Sequence, residues 1–85
     1  MAKKFIVIGE TVGDRILSLR AQTGETQTEF AAAVGVSSGA VSQWETNYSR
    51  PTRMRLIRIA IHFGVSVDDL IANIPERARA SKATG

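Results

Sequence analysis

Residues 27–47, QTEFAAAVGVSSGAVSQWETN, decide the fold of this 85-residue chain. Apolar residues recur at helical spacing on both sides of Gly35, which predicts two short amphipathic helices. Glycine adopts the left-handed backbone at a helix end without strain, so Gly35 is expected to end the first helix. Ser37 can then cap the second helix after almost no connecting loop. Two helices joined so tightly must meet at a steep angle.

Three further helices are predicted around this pair, because capping residues precede three other amphipathic runs. They are expected between Thr11 and Gly24, from Thr52 to about Phe63, and from Ser66 to near Pro75. With Thr26 and Ser37 as the caps of the central pair, the expected fold class is all-α, a compact domain of five helices. No internal repeat is visible in the sequence.

The two ends of the chain differ in composition from the helical region. We expect an N-terminal arm at residues 1–10, the helical domain at 11–74, and a mobile, polar basic tail at 75–85. The arm contains the apolar run FIVI at 5–8, whose residue types favour extended backbone. This run is either a short strand that pairs across a dimer or an arm tucked against the core.

Composition excludes several classes of protein. The absence of cysteine removes disulfides, thiolate metal sites and thiol nucleophiles. No apolar run approaches the roughly 20 residues that a membrane span needs, so we expect a soluble, cytoplasmic protein. His62 is the single histidine, and Asp68 and Asp69 are adjacent on a helix, where they point about 100° apart. We therefore expect no catalytic residues, no metal and no cofactor.

The net charge of +3 favours a polyanionic partner only if the basic residues are clustered. Arg50, Arg53, Arg55 and Arg58 do fall close together without an acidic neighbour. They follow the two helices of 27–47, whose length and glycine turn are typical of a helix-turn-helix unit that places its second helix in a DNA major groove. The outward face of that second helix carries four candidate base-reading residues: Ser38, Gly39, Ser42 and Gln43.

Matches in register extend beyond the helix pair. They comprise Gln27, Glu29-Phe30-Ala31, Val34-Gly35-Val36-Ser37, Val41-Ser42-Gln43-Trp44-Glu45, Arg50-Pro51 and FGVSVDDL at 63–70. At these residues the chain resembles the Cro/repressor-type helix-turn-helix family, typified by lambdoid phage repressors. The resemblance implies a five-helix domain that binds operator DNA as a homodimer and reads it with the third helix. It also implies half-sites about one helical turn apart on a near-palindromic operator.

The resemblance and the chemistry of the side chains assign roles within this interface. Gln43 is the one base-reading candidate that can make the bidentate contact that selects adenine. Gly39 replaces the larger polar residues often found there in the family, so shape and water-mediated readout are expected to contribute. The candidate phosphate contacts are Gln27, Ser37, Thr46, Asn47, Tyr48, Ser49, Arg50, Thr52 and Arg53.

Two structural roles also follow from the resemblance. Arg20 and Glu45 correspond to a partly buried salt bridge between helices one and three of such repressors. In the family, the end of helix four and the start of helix five make the dimer contact. The corresponding interface candidates here are Ile61, Val65, Val67 and Leu70, with the N-terminal arm as a competitor.

The sequence thus predicts a sequence-specific, double-stranded-DNA-binding transcriptional regulator, and a repressor rather than an activator. Two alternatives keep the fold and change the function. One is an antitoxin that regulates its own operon and binds a small toxin through the arm or the tail. The other is a protein-interaction module that has lost its DNA contacts, which the small residues Ser38 and Gly39 leave open.

Overall fold

The computed structural model describes residues 5–74, which contain five α-helices and no β-strand within that range. The helices are α1 (Val12–Thr23), α2 (Gln27–Val34), α3 (Ser38–Glu45), α4 (Arg53–Phe63) and α5 (Val67–Ile71). The prediction of an all-α, five-helix domain is therefore confirmed. The expected mobility of the tail concerns residues 75–85, which lie outside the described range.

Every helix begins at a hydroxyl side chain that satisfies one of its unpaired N–H groups. In each case the hydroxyl accepts a hydrogen bond from the backbone N–H three residues later. The five capping residues are the predicted ones: Thr11, Thr26, Ser37, Thr52 and Ser66. Glu29 and Asp69 complete reciprocal capping boxes for α2 and α5. Local sequence therefore fixes where each helix starts.

The predicted apolar faces of the helices meet in one core. Phe30 of α2 stacks on Phe63 of α4 with ring centroids 5.1 Å apart, and the edge of Phe5 meets Phe63 at 6.5 Å. Trp44 of α3 is also buried in this core. The buried apolar side chains are Val12, Ile16, Leu19, Phe30, Ala31, Val34, Val41, Trp44, Leu56, Ile59, Ala60, Phe63 and Leu70.

The last helix is shorter than predicted. The expectation that it continues to near Pro75 was wrong, since α5 ends at Ile71. The helix ends because Ala72 is extended, with φ −76° and ψ 152°, and Asn73 then adopts a left-handed φ of 59°. Asparagine tolerates this conformation better than most residues, so the chain turns before the proline is reached.

A buried arginine joins the beginning and the end of the described chain. The Arg15 guanidinium donates from Nε to the carbonyl of Gly9 at 3.0 Å, and from Nη1 to the carbonyls of Asp69 and Ala72 at 3.1 and 2.6 Å. These bonds hold α1 to the end of α5. The sequence pattern does not reveal this role of Arg15, although its spacing from Val12 places it on the apolar face of α1.

The run at 5–8 is an arm tucked against the core, which is one of the two alternatives that the sequence left open. Phe5 and Val7 are partly buried against the core, whereas Ile6 and Ile8 are exposed. The carboxamide of Gln22 on α1 accepts from the Ile6 N–H at 3.0 Å and donates to the Ile6 carbonyl at 2.6 Å. The Gln22 side chain thus makes the two backbone hydrogen bonds that a neighbouring strand would otherwise make with the arm.

Within residues 5–74, no helix is long and apolar enough to cross a membrane. The same part of the chain contains no group of three or more side chains that could bind a metal ion.

Candidate nucleic-acid interface

The connection between α2 and α3 is a glycine turn. Gly35 has a left-handed φ of 78°, and its N–H donates to the carbonyl of Ala32 at 3.3 Å. The N–H of Val36 donates to the carbonyl of Ala31 at 2.9 Å, which completes the helix end. Because α3 begins at Ser38, α2 and α3 form a rigid corner with almost no loop.

The face of α3 opposite the core is open to solvent. Ser38, Gly39 and Gln43 are exposed and Ser42 is half-buried. A Cβ atom added to Gly39 would meet only the Ser37 hydroxyl oxygen within 4 Å, at 3.8 Å. The four base-reading candidates therefore share one accessible helix face, and the glycine leaves a gap in it.

The residues after α3 fold back onto its last turn. The carbonyl of Gln43 accepts from the N–H groups of Tyr48 and Ser49 at 2.9 and 3.3 Å, and the Ser49 hydroxyl donates to Gln43 Oε1 at 3.3 Å. An amide oxygen has two lone pairs, so Gln43 Oε1 can keep this bond while it accepts another. Tyr48 is exposed and Ser49 half-buried beside the reading face.

Two of the predicted phosphate contacts also hold this turn together. The Thr46 hydroxyl donates to the carbonyl of Ser42 at 3.0 Å. Asn47 has a left-handed φ of 63° and is half-buried. Its Oδ1 lies 2.7 Å from the position that a Cβ on Gly13 would occupy, so the side chain packs against α1. Asn47 thus has a structural role that the sequence analysis did not foresee.

The loop from α3 to α4 presents a basic rim. Arg50 is exposed and the following Pro51 is buried, which anchors the loop directly behind the arginine. Thr52 caps α4 with its hydroxyl, and Arg53 occupies the first turn. Two exposed arginines and a helix N-terminus thus lie together, a combination that attracts phosphate oxygens.

A buried ion pair and a hydrogen bond connect α3 to α1 and α2. Glu45 Oε2 accepts from Arg20 Nε at 2.6 Å, and Oε1 accepts from Arg20 Nη2 at 3.0 Å and from Gln27 Nε2 at 2.9 Å. The Glu45 side chain is only 4% exposed. The hydrogen bond to Glu45 raises the pKa of Arg20 above its ordinary value, against the opposing effect of burial. Arg20 therefore stays charged, and the start of α2 is fixed to the end of α3.

A histidine–carboxylate contact also joins two elements of this region. His62 Nε2 on α4 is 3.0 and 2.8 Å from the two carboxylate oxygens of Glu25, in the connection between α1 and α2. Burial raises the pKa of Glu25, but hydrogen bonds from Thr23 and His62 and the charges of His62 and Arg20 outweigh it, so the pKa lies below its usual range. This pair was not predicted, because the two residues are distant in sequence.

The predicted dimer contacts need one correction. Ile61 is 74% exposed, and Val65 and Val67 are partly buried against the core. Leu70, by contrast, is 0% exposed, because α5 packs this side chain into the core of its own chain. Leu70 is therefore a core residue rather than a surface contact, and the other three positions still reach the surface.

Comparison with known proteins places this geometry in a family. The helix-turn-helix family model matches residues 16–70. This chain belongs to the helix-turn-helix family. The match covers α2 and α3 entirely and ends in α5. The match shows that the chain is a DNA-binding transcriptional regulator. The resemblance of the sequence to Cro/repressor-type proteins predicts the same function. No curated protein matched the chain.

Solved structures of helix-turn-helix proteins superimpose on the fold. A structure of the P22 c2 repressor with a synthetic operator is 31% identical, covers 73% of this chain and 94% of the repressor chain, and has a TM-score of 0.70. A structure of SinR, a master regulator for biofilm formation, in complex with DNA is 30% identical, covers 71% and 97% of the two chains, and has a TM-score of 0.66. A hypothetical transcription factor from Neisseria, NHTF, shares the fold at 20% identity and a TM-score of 0.65, with 94% and 95% coverage.

Proposed function

We propose that this helix-turn-helix protein represses transcription by binding a specific duplex operator with α3 in the major groove. The observation that carries the proposal is the exposed face of α3 with a basic rim at one end. Gln43 lies on this face, and Arg50 and Arg53 lie on the rim. A repressor needs no further domain, because a protein bound at a promoter blocks access to it. Such a protein acts in the compartment that holds the DNA, the cytoplasm in a bacterial cell.

Base reading in this proposal depends mainly on Gln43. Its exposed carboxamide can accept from N6 and donate to N7 of adenine. Ser38 and Ser42 read bases less selectively, and Gly39 presents no side chain to the groove. The remaining specificity is therefore assigned to the shape of the DNA and to bridging waters.

Phosphate binding is assigned to both ends of the reading helix. At one end, Gln27 keeps a second amide hydrogen for a phosphate while the first binds Glu45. Ser37 lies at the opposite, N-terminal end of α3. The remaining candidates lie at or after the C-terminal end of α3, as Gln27 does: Thr46, Tyr48, Ser49, Arg50, Thr52 and Arg53. These contacts orient α3 on the duplex but carry no sequence information.

The first test measures DNA binding by fluorescence anisotropy at several salt concentrations, on duplexes enriched from a random pool. Arg50→Ala is expected to reduce the slope of log affinity against log salt by about 1, because one phosphate contact is lost. Gln43→Ala is expected to reduce discrimination at one adenine by about 1–3 kcal/mol.

Each of the two substitutions serves as the experimental control for the other. Gln43→Ala should leave the salt slope unchanged, and Arg50→Ala should leave the base preference unchanged. Gln22→Ala, which removes an exposed glutamine on α1, should alter neither quantity. A folded protein that binds no duplex at about 50 mM salt would contradict the proposal and favour a protein-interaction module.

We also propose that the repressor is a homodimer whose contact includes Ile61, Val65 and Val67. Ile61 is the most exposed apolar residue on α4. A two-fold dimer places two copies of α3 on one side, where they can enter successive major grooves about one helical turn apart.

Substitution at the centre of this surface tests the dimer. Ile61→Lys is expected to weaken self-association at least about tenfold, since it buries an unpaired charge at the contact. Leu17→Lys is the matched control, because Leu17 is an exposed apolar residue of α1 outside the proposed contact. The measurement is sedimentation equilibrium with and without operator DNA. A wild-type protein that stays monomeric at high concentration under both conditions would refute the dimer.

A further inference from the structure

A continuous chain of polar contacts leads from the end of α4 to the DNA-facing helices. His62 contacts the Glu25 carboxylate, and Arg20 Nη1 donates to the Glu25 carbonyl at 2.9 Å. The same guanidinium holds Glu45 at the end of α3, and Glu45 holds Gln27 at the start of α2. Glu25, contacted at its carboxylate and at its backbone carbonyl, and four further side chains thus link α1, α2, α3 and α4.

The imidazole of His62 is restrained by its neighbours, so a change in its charge can influence this chain of contacts. Its ring contacts two phenylalanines that stack on each other, with centroids 5.5 Å from Phe30 and 5.0 Å from Phe63. Its side chain is 25% exposed and that of Glu25 is 22% exposed, so solvent screens the pair only in part. The aromatic rings restrict the imidazole, and Nε2 faces the carboxylate.

The charged groups around His62 come from three elements. Glu25 faces it from the connection between α1 and α2, and Arg20 of α1 lies behind Glu25. Arg58, one turn earlier on α4, lines the same shallow depression as His62, together with Ile61 and Ala33. The group in direct contact with Nε2 is the carboxylate. Against the effect of burial, the hydrogen bond from Thr23, then the hydrogen bond and charge of His62, lower the pKa of Glu25.

We infer that His62 is a positioning residue of the DNA interface, which acts through Glu25 and Arg20 on Gln27 and α3 and makes DNA affinity depend on its own protonation. This inference rests on the proposed function. Histidine is the side chain whose charge ordinarily changes between pH 5 and 8. His62 is the single histidine in the sequence, so this change can be assigned to one residue.

The direction of the effect follows from the charges. Glu25 precedes the proposed phosphate contact Gln27 by two residues, and an unneutralised carboxylate there repels the DNA backbone. Protonated His62 neutralises Glu25 and holds the start of α2 in place. Bound DNA therefore favours the protonated imidazole, so affinity is expected to rise as the pH falls from 8 to 6.

The test measures the dissociation constant for an enriched duplex at pH 6, 7 and 8 at constant ionic strength. The wild type is expected to bind about threefold to tenfold more tightly at pH 6 than at pH 8. His62→Gln keeps a hydrogen-bond donor without a titrating charge, and Glu25→Gln removes the carboxylate. Both variants are expected to bind DNA with a nearly flat pH profile, whereas Gln22→Ala should retain the wild-type profile.

Each result separates this inference from the proposed function. Specific binding with a flat wild-type profile, or an unchanged profile in folded His62→Gln, would overturn the role of His62 alone. A folded wild type that binds no duplex at any pH would overturn the proposed function and this inference with it. If His62→Gln fails to fold, Glu25→Gln decides the question, because the inference requires that its profile be flat.

Discussion

Glu45→Ala is expected to lower the free energy of unfolding by about 3 kcal/mol, because it breaks a buried ion pair on one side only. The substitution leaves the Arg20 guanidinium and the Gln27 amide without the acceptor that both share. Arg20 cannot lose its charge to avoid this cost, since a guanidinium stays protonated in proteins. Urea denaturation followed by the fluorescence of Trp44, the single tryptophan, measures the change.

A double-mutant cycle tests whether the pair is the cause. Arg20→Leu and Glu45→Leu are each expected to destabilise strongly, whereas the double variant should cost at least about 1 kcal/mol less than the sum of the two. The double variant leaves no unpaired charge of this pair behind. If the two single costs simply add, the ion pair is not the origin of the stability assigned to it.

The same substitution is also expected to weaken DNA binding. Glu45 holds Gln27 at the start of α2 and is itself the last residue of α3. Without it, the reading face and one proposed phosphate contact no longer have a fixed separation. Affinity should therefore fall even at temperatures where Glu45→Ala remains fully folded.

Helix starts and the core could be predicted from the sequence because both depend on residues close together in the chain. A cap involves residues three positions apart, and an amphipathic face repeats every three or four. All five caps and the core positions on α1 to α4 follow from this local information. The end of α5 does not follow from it, because it depends on the extended backbone of Ala72 and the turn at Asn73 rather than on the more conspicuous proline.

The contacts that the sequence did not reveal are those between distant residues. Arg15 reaches carbonyls 54 and 57 positions away, and His62 pairs with Glu25 across 37 positions. Such pairs depend on how helices cross, which periodicity does not determine. Leu70 illustrates the same limit, since an apolar residue on a short helix fits a dimer contact and a core position equally well until the packing is known.

The close approach of α1 to α3 is another such contact, and it makes Gly13 intolerant of a side chain. A Cβ at Gly13 would lie 2.0 Å from the carbonyl oxygen of Trp44 and 2.7 Å from Asn47 Oδ1. The first of these atoms belongs to the backbone, so it cannot move aside by rotating a side chain. Gly13→Ala is therefore expected to cost about 3 kcal/mol, despite the higher helix propensity of alanine.

Gly39 provides a matched control for this prediction. Both glycines are the second residue of a helix, but a Cβ at Gly39 would meet only the Ser37 hydroxyl oxygen at an ordinary 3.8 Å. Gly39→Ala should therefore stabilise the protein by about 0.5–1 kcal/mol, the opposite sign from Gly13→Ala, in the same urea experiment. Equal effects at the two glycines would mean that α1 and α3 are not in contact at Gly13. Opposite effects would show that the position of the reading helix is set by backbone-to-backbone packing against α1 as well as by the Arg20–Glu45 pair.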